Sequence, residues 1–571
     1  MEERASGSAP AATVAAPGGV DLAGSAAPGR PYPPLSLPDM FLASAAAAPD
    51  APLIDFFGRR FSYARVAAEV RAFAAGLQAR GIGHGDRVGL FLPNVPLYVT
   101  AYYGALLAGA TVVNYAPMWG PAQLARALAE TTPRLVVAVD YPRMARTLLE
   151  ARQSAEFETM VIGRLATMLP RGRQVVLQMR GGGGRVVGAV PLSELMCGAE
   201  PEPVGIDPCR DIAVIQYTSG TTGHPRPVCL SHDNLSANAR QLEAIDPWHG
   251  RRDVMIGALP LAAIFGNTAV LNRTVLDRGC IALLPRFEPR QVLRTIARTR
   301  ATTMPGIPTM FQALLDDPAL ERTRLGSLRA CISGGAALSA PLKARFEAVS
   351  GARLVEGYGL TEAAGVVSVN PLAGPDRAGR VGRPLPLTRL RLLDPDDATR
   401  PLAAGEIGEL AVAGPQVMLG YWKDPAGNAA AFAGEWLRTG DFAALDAEGF
   451  ATIVDRRSDI MRVAGVRVFP SRIEEVLLTH PAVREAAVIG VPVAFRGESP
   501  KAYVTLRGDT LDTGESLRNW LNGRLGPNER VLAVEVREAL PRVAVGKLDR
   551  RALRGEEAAR AAAFRAGAGF S

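Results

Sequence analysis

Short apolar runs, each closed by glycine or proline, recur along the chain between stretches with helical periodicity. GDRVGLFLP, RLVVAVD and LRACISGG are examples, and a helical pattern extends from Phe61 to Arg80 before the first of them. Alternation of strand and helix is typical of parallel sheets, because a parallel pair of strands needs a crossover that a helix supplies. The sequence therefore predicts an α/β fold with doubly wound sheets.

The pattern changes twice toward the C-terminus. After Gly379, short strands alternate with turn residues, as in GEIGELAVAGP, which predicts a β-rich subdomain that closes the large part. Beyond the motif DRRSD, helices at Pro470–Leu478 and Gly514–Leu525 and the strands EAAVIGVP and KAYVTL indicate a small α+β domain. We predict a disordered leader (1–34), a large domain (35–455), a hinge (456–458), a small domain (459–557) and a tail (558–571).

Composition excludes several classes of protein. The 571 residues are 48% hydrophobic and 21% charged, which suits a large aliphatic core and not a disordered chain. The net charge of +8 comes from scattered arginines, without the aromatic-interleaved basic patch of a nucleic-acid binder. The five cysteines are odd in number and form no C-x-x-C pair, so a reducing, cytoplasmic compartment is expected.

One stretch, residues 88–125, lacks charged side chains and has the apolar length of a membrane span. Prolines bracket it, and Gly104 and Gly109 divide it into a helical part and a β-branched part. We therefore predict a buried helix followed by a strand, and no transmembrane segment. A peripheral membrane contact and a homodimer stay open.

The densest chemical signal is the segment YTSGTTGHPRPV, which follows an apolar strand. Glycines can turn backbone N–H groups inward, and hydroxyl side chains add donors toward negatively charged oxygens. The residues concerned are Thr218, Ser219, Gly220, Thr221, Thr222 and Gly223. The Walker pattern G-x-x-x-x-G-K-[ST] is absent. The segment therefore predicts a phosphate-binding loop of another kind, although such clusters also occur in solvated turns.

This loop resembles the signature YTSGTTGxPKG of the adenylate-forming superfamily of acyl-CoA synthetases, of the AMP-dependent fatty acid–CoA ligase type. Eight further blocks follow in the family's order: Leu259–Gly266, Gly306–Met310, Ser333–Leu338, Gly357–Glu362, Arg438–Asp441, Asp455–Asp459, Gly465–Glu475 and Pro541–Arg550. The resemblance implies a large N-terminal domain, a smaller mobile C-terminal domain, and the use of ATP, Mg²⁺ and coenzyme A.

The resemblance also assigns an ATP and AMP site to the large domain. It implies that Tyr358 lies along the adenine ring, that Thr361 reaches a phosphate, and that Asp441 accepts both ribose hydroxyls with its two oxygens. The expected metal ligands are Glu362 and Thr222. Both residues are also expected to be catalytic. The expected nucleotide-binding residues are Thr218, Ser219, Gly220, Thr221, Thr222, Gly223, Arg226, Gly335, Gly357, Tyr358, Gly359, Thr361, Asp441 and Arg456.

Lys547, in the small domain, is one of only four lysines in a chain rich in arginine. The resemblance implies that its ammonium group stabilises the negative charge that develops between the carboxylate and the α-phosphate. Because Lys547 and the phosphate loop lie in different domains, the small domain must close during adenylation. The resemblance further implies a rotation about Ser458, after which Gly465 and Arg467 line a path for CoA.

The acyl pocket is expected beside the block LPLAAIFG. There Ala262 and Ala263 replace the aromatic–histidine pair of many acyl-CoA synthetases, which widens the expected pocket. Gly306 and Gly334 are expected in the neighbouring walls. Small side chains favour a long or bulky acid over acetate, while dicarboxylic and aryl acids stay open.

Two other departures from the family pattern concern movement and phosphate binding. Arg226 and Pro227 replace the usual Lys-Gly of the loop, which keeps the charge but removes a backbone donor. Ser458 replaces the usual Asp or Lys at the pivot.

The predicted function is an ATP-dependent acyl-CoA ligase that acts on a medium- or long-chain fatty acid through an acyl-adenylate and releases AMP and pyrophosphate. Two alternatives stay open: an acyl-AMP ligase that loads a carrier protein, and a degenerate homologue that binds adenylate without turnover. The degenerate homologue is disfavoured by the presence of all six expected site residues: Thr222, Tyr358, Glu362, Asp441, Arg456 and Lys547.

Overall fold

The computed structural model describes residues 22–23, 33–179, 186–196, 198–218, 225–375, 377–397, 400, 402–493, 496–508, 510–542 and 548–567. The strands within these ranges are β1 (Leu22–Ala23), β2 (Pro52–Phe56), β3 (Arg59–Ser62), β4 (Arg87–Leu90), β5 (Thr111–Asn114), β6 (Leu135–Val139), β7 (Thr159–Gly163), β8 (Val190–Pro191), β9 (Ile212–Tyr217), β10 (Pro227–Ser231), β11 (Val254–Gly257), β12 (Cys280–Leu283), β13 (Thr303–Gly306), β14 (Ala330–Ser333), β15 (Arg353–Tyr358), β16 (Ser368–Val369), β17 (Arg383–Pro384), β18 (Arg389–Leu393), β19 (Ile407–Ala413), β20 (Gly420–Tyr421), β21 (Phe432–Ala433), β22 (Trp436–Leu445), β23 (Ala451–Arg456), β24 (Met461–Val463), β25 (Val466–Val468), β26 (Val483–Val493), β27 (Gly497–Leu506) and β28 (Val534–Val536).

The helices in the same ranges are α1 (Leu37–Ala47), α2 (Tyr63–Gln78), α3 (Pro96–Leu107), α4 (Pro121–Thr131), α5 (Pro142–Arg152), α6 (Arg171–Met179), α7 (Leu192–Leu195), α8 (His232–Ala244), α9 (Arg273–Leu276), α10 (Pro289–Thr299), α11 (Pro308–Asp316), α12 (Ala340–Ser350), α13 (Pro425–Ala431), α14 (Pro470–Leu478), α15 (Gly514–Asn522) and α16 (Arg550–Gly567). A π-helix spans Gly266–Asn272, and short 3₁₀ turns occur at Leu165–Met168, Pro318–Arg322 and Thr361–Ala363.

Two large sheets with mainly parallel strands form the α/β part. The eight-stranded sheet has the order β20-β10-β9-β5-β4-β6-β7-β8, and the nine-stranded sheet has the order β17-β16-β15-β14-β13-β11-β12-β2-β3. Antiparallel strands occur at the edges of both, where β10 pairs with β9 and β16 pairs with β15. The predicted α/β fold class is confirmed.

The uncharged stretch forms the predicted helix and strand, α3 and β5. Every residue of α3 from Pro96 to Leu106 is buried, which explains why the helix is apolar on all sides. Among the described residues, no helix is both long and apolar enough to cross a bilayer.

Two smaller sheets complete the fold. The first has the order β1-β18-β19-β22-β21, with β23 on β22, and the second has the order β25-β24-β27-β26, with β28 on β27. The second sheet packs with α14, α15 and α16, so the predicted small α+β domain is present.

The structure differs from the prediction in the N-terminal leader. Leu22 pairs with Leu390 in β1–β18, inside the segment predicted to be a disordered leader. Backbone pairing to an exposed strand edge needs little side-chain pattern, so it could not be predicted from the sequence. Helix α16 continues to Gly567, within the predicted tail, because alanine, arginine and glutamate there favour helix.

Candidate functional site

A compact polar cluster forms where Tyr358, Asp441 and Arg456 meet. Tyr358 is the last residue of β15, and Asp441 and Arg456 are cross-strand partners in β22 and β23. The Tyr358 hydroxyl donates to Asp441 Oδ2 over 2.6 Å, and Arg456 Nε lies 3.2 Å from Oδ1. Burial and the adjacent carboxylate raise the pKa of Tyr358 well above its ordinary value, so the phenol stays protonated and holds the carboxylate in place.

The structure places three of the predicted glycines at the carboxyl ends of two adjacent parallel strands, β13 and β14. Gly306 ends β13 and pairs with Ser333 at the end of β14, which is followed by Gly334 and Gly335. Gly335 adopts φ +80°, which favours glycine. Ligands of open α/β sheets bind at this edge.

Glycine is also required close to Tyr358. A Cβ added at Gly359 would lie 1.9 Å from the carbonyl oxygen of Gly365. A Cβ at Gly357 would lie 3.3 Å from both Ile332 Cγ2 and the carbonyl oxygen of Ser368. Close backbone approach therefore explains the glycines on both sides of this tyrosine.

The predicted phosphate loop connects β9 and β10 as a hairpin. Its ends are closed by two bonds, because Thr218 N donates to the carbonyl of Arg226 and Arg226 N donates to Thr218 Oγ1, both over 3.0 Å. The other predicted loop residues lie outside the described residues: Ser219, Gly220, Thr221, Thr222 and Gly223. Pro227 begins β10, a strand position where proline is tolerated, and its carbonyl accepts the N–H of Trp422 over 2.8 Å.

A chain of contacts connects this hairpin to Glu362. Arg226 Nη2 donates to Asp424 Oδ2 over 2.8 Å, and the guanidinium carbon lies 3.4 Å from the ring centre of Tyr421. The Tyr421 hydroxyl donates to Glu362 Oε1 over 2.9 Å. Sequence reasoning missed Tyr421 and Asp424, because only the fold brings β20 beside β10.

Glu362 lies in the 3₁₀ turn that begins at Thr361, just after Tyr358. Its backbone oxygen accepts the N–H of Met418 over 2.9 Å, which fixes the turn. Within the described ranges, no group of three or more His, Cys, Asp or Glu side chains is placed to hold a metal ion. A single half-buried carboxylate fits a magnesium ion that is bound mainly by substrate phosphates and water.

The block Leu259–Gly266 lies between the two large sheets. Ala262 is buried and Ala263 is half-buried. A Cβ at Gly334 would lie 3.2 Å from Phe265 Cε1, and a Cβ at Gly365 would lie 3.4 Å from the carbonyl oxygen of Ile264. The fold thus brings this block next to Gly334 and to the turn that follows Glu362.

Ser458 lies between residues that are tied to different parts of the chain. Arg457 N donates to the carbonyl of Gly440 over 2.8 Å, and Arg457 Nη1 lies 3.3 Å from Glu409, which is buried in β19. On the other side, Asp459 forms ion pairs with two arginines of the small domain, Arg550 and Arg554. The exposed Ser458 is therefore flanked by anchors on opposite sides of the predicted hinge.

Two further contacts join the domains. Ser471, at the start of α14, donates from N and Oγ to Asp455 Oδ2 over 3.0 and 2.7 Å. Arg467 pairs with Asp396 in the turn after β18, while Gly465 adopts φ +82° in the tight turn between β24 and β25. Lys547 lies outside the described residues.

Comparison with known proteins identifies the family. Residues 41–422 match the family described as AMP-binding enzyme, and residues 472–547 match the AMP-binding enzyme C-terminal domain. The chain belongs to the AMP-binding enzyme family. This AMP-binding enzyme is 36% identical over 541 residues to the long-chain-fatty-acid–CoA ligase of Bacillus subtilis (strain 168), with 92% of the chain and 95% of that protein covered.

A second relative and a solved structure support the same family assignment. The long-chain-fatty-acid–CoA ligase of Escherichia coli O6:H1 is 35% identical to this AMP-binding enzyme over 541 residues, which cover 91% of the chain and 94% of that protein. ATP-bound MatB from Rhodopseudomonas palustris has a TM-score of 0.79 and 29% identity, with 91% of the chain and 99% of MatB covered. The predicted family is thereby confirmed.

Proposed function

We propose that this AMP-binding enzyme joins a long-chain fatty acid to coenzyme A through an acyl-adenylate. The chain is an AMP-forming acid–CoA ligase, and its relatives with that activity in their names match it over nearly its whole length. The observation that carries the assignment of the site is the cluster of Tyr358 and Arg456 around the buried Asp441 at the carboxyl end of β15.

In the first step, a carboxylate oxygen of the acid attacks the α-phosphorus of ATP. The bond from that phosphorus to the bridging oxygen breaks, and pyrophosphate leaves. We assign Asp441 to the ribose hydroxyls and Tyr358 to the adenine ring. The carboxylate of Asp441 is held in advance by two partners, so little reorganisation is needed when the nucleotide binds.

We assign three further residues to the neutralisation of negative charge in this step. Glu362 and Thr222 would hold Mg²⁺, which supplies neutralisation of the phosphate oxygens when it arrives with ATP. We assign Lys547 to the negative charge that develops between the α-phosphate and the attacking carboxylate.

In the second step, the sulfur of CoA attacks the acyl carbonyl carbon. The bond from that carbon to the AMP oxygen breaks, and AMP leaves. We assign Gly465 and Arg467 to the CoA path and Ser458 to the pivot of the small domain. The pivot is supported by the opposite anchors of Arg457 and Asp459.

A long aliphatic acid is favoured by the small side chains of Ala262 and Ala263 and by the names of the relatives. We place the reaction in the cytoplasm, which is supported by the free thiols of the described cysteines Cys209, Cys229, Cys280 and Cys331.

The test is pyrophosphate release from ATP and Mg²⁺ across short, long, dicarboxylic and aromatic acids, each with and without CoA. We expect turnover with long-chain fatty acids only when CoA is present, and the matching acyl-CoA as product. Adenylate accumulation that CoA does not relieve would contradict the proposal in favour of a carrier-protein acceptor. Turnover confined to aromatic acids would contradict the substrate class alone.

A further inference from the structure

Three buried polar side chains form hydrogen bonds with the backbone of the block Leu259–Gly266. Asn94 follows β4, Tyr98 lies in α3, and Gln216 lies in β9, so all three belong to the layer of the eight-stranded sheet. Their exposed fractions are 3%, 0% and 3%. The block itself follows β11 of the nine-stranded sheet. These three residues, which we name the pinning residues, therefore connect the two layers.

The pinning residues contact backbone groups of Leu259, Leu261 and Ala262. Asn94 Nδ2 donates to the carbonyl of Leu259 over 2.7 Å, and Asn94 Oδ1 accepts the N–H of Leu261 over 2.8 Å. The Tyr98 hydroxyl lies 2.8 Å from the carbonyl of Leu261. Gln216 Nε2 donates to the carbonyl of Ala262 over 2.8 Å.

The pinning residues are also connected to one another through Asn114. Asn114 Nδ2 donates to Gln216 Oε1 over 3.0 Å, and Asn114 Oδ1 lies 2.8 Å from the Tyr98 hydroxyl, whose single proton is shared between this oxygen and the carbonyl of Leu261. A buried polar group without a partner is costly, so a connected network of this kind permits one arrangement of the backbone and disfavours the others. The pinning residues, which lie in the layer of the eight-stranded sheet, thereby fix the position of Ala262.

The same block carries Ala262 and Ala263, which are expected to line the acyl pocket. There Phe265 approaches Gly334, and Ile264 approaches Gly365. A shift of the backbone at Ala262 would move this wall and change the space for the acid. We propose that Asn94, Tyr98 and Gln216 are positioning residues that set the chain-length preference of the ligase by fixing the depth of its acyl pocket. The proposal depends on the function proposed above, and no contact of these residues with the acid is implied.

The test compares two variants with a matched control. Tyr98→Phe removes the hydroxyl beside Leu261, and Gln216→Met removes the donor to Ala262 while keeping side-chain length. Tyr63→Phe is the control, because the Tyr63 hydroxyl is equally buried but lies in α2 and donates to the carbonyl of Gly279 over 3.0 Å, away from the block. Steady-state KM values are measured for a series of fatty acids and, separately, for ATP.

We expect each pinning variant to raise the KM of the best acid roughly tenfold and to move the preferred chain length, because an orphaned buried carbonyl shifts to find a partner. The KM for ATP is expected to stay within about twofold of the wild-type value, and Tyr63→Phe is expected to match the wild type. Equal changes in the two KM values, or an unchanged chain-length profile in a folded Tyr98→Phe variant, would overturn the proposal. If the wild type itself fails to use any fatty acid, the proposed function fails instead.

Discussion

Replacing Asp441 with asparagine tests the candidate nucleotide site most directly. In the structure, one carboxylate oxygen accepts from Tyr358 and the other faces Arg456, so an amide nitrogen would point at a donor on either side. The variant also removes the negative charge of the carboxylate that we assign to binding the ribose hydroxyls. A hydrogen bond to a charged group contributes about 1.5–3 kcal/mol, which corresponds to a roughly 10- to 150-fold loss of kcat/KM for ATP.

The assay is the initial rate of pyrophosphate release at varied ATP and saturating acid and CoA. Asp446→Asn is the matched control, since Asp446 lies just after β22 and pairs with Arg380 on the surface of the same sheet. We expect the control to stay within about twofold of the wild type. A kcat/KM for ATP within threefold of the wild type for Asp441→Asn, at an unchanged melting temperature, would refute the assignment.

Three further outcomes are expected. Lys547→Ala abolishes pyrophosphate release while calorimetry still detects ATP binding; normal adenylation by this variant would remove Lys547 from the mechanism. Tyr421→Phe removes the donor to Glu362 and raises the Mg²⁺ concentration for half-maximal rate at least about tenfold, and an unchanged Mg²⁺ titration would contradict that role. Burial raises the pKa of Glu356 to about 7 from its ordinary value of 4.5, so ionisation lowers the stability of the fold as pH rises between these values, by up to about 3 kcal/mol. Glu356→Gln is therefore expected to be more resistant to urea than the wild type at pH 8 but not at pH 4.5. If the two proteins differ equally at both pH values, burial does not raise the pKa of this carboxyl.

Local pattern was enough to predict the architecture. Apolar runs closed by glycine or proline indicated the parallel strands, and the helix predicted at Pro470–Leu478 has the same bounds as α14. The uncharged stretch was interpreted as a buried helix and strand because its breaks come too close together for a membrane span. At the termini the pattern was insufficient, since β1 is held by backbone pairing to β18.

The sequence by itself also supplied the candidate site residues, because motifs such as GYGLTE and RTGD resemble those of a known family, and the roles of these residues stay predictions. Only the tertiary structure decided which of them meet. The contacts Tyr358–Asp441, Arg226–Asp424 and Tyr421–Glu362 each join residues more than fifty positions apart. The hydrogen bond from Gln216 to the carbonyl of Ala262 likewise could not be predicted from the sequence. A buried polar side chain acquires a role only from the groups that the packing of distant strands brings within hydrogen-bond distance.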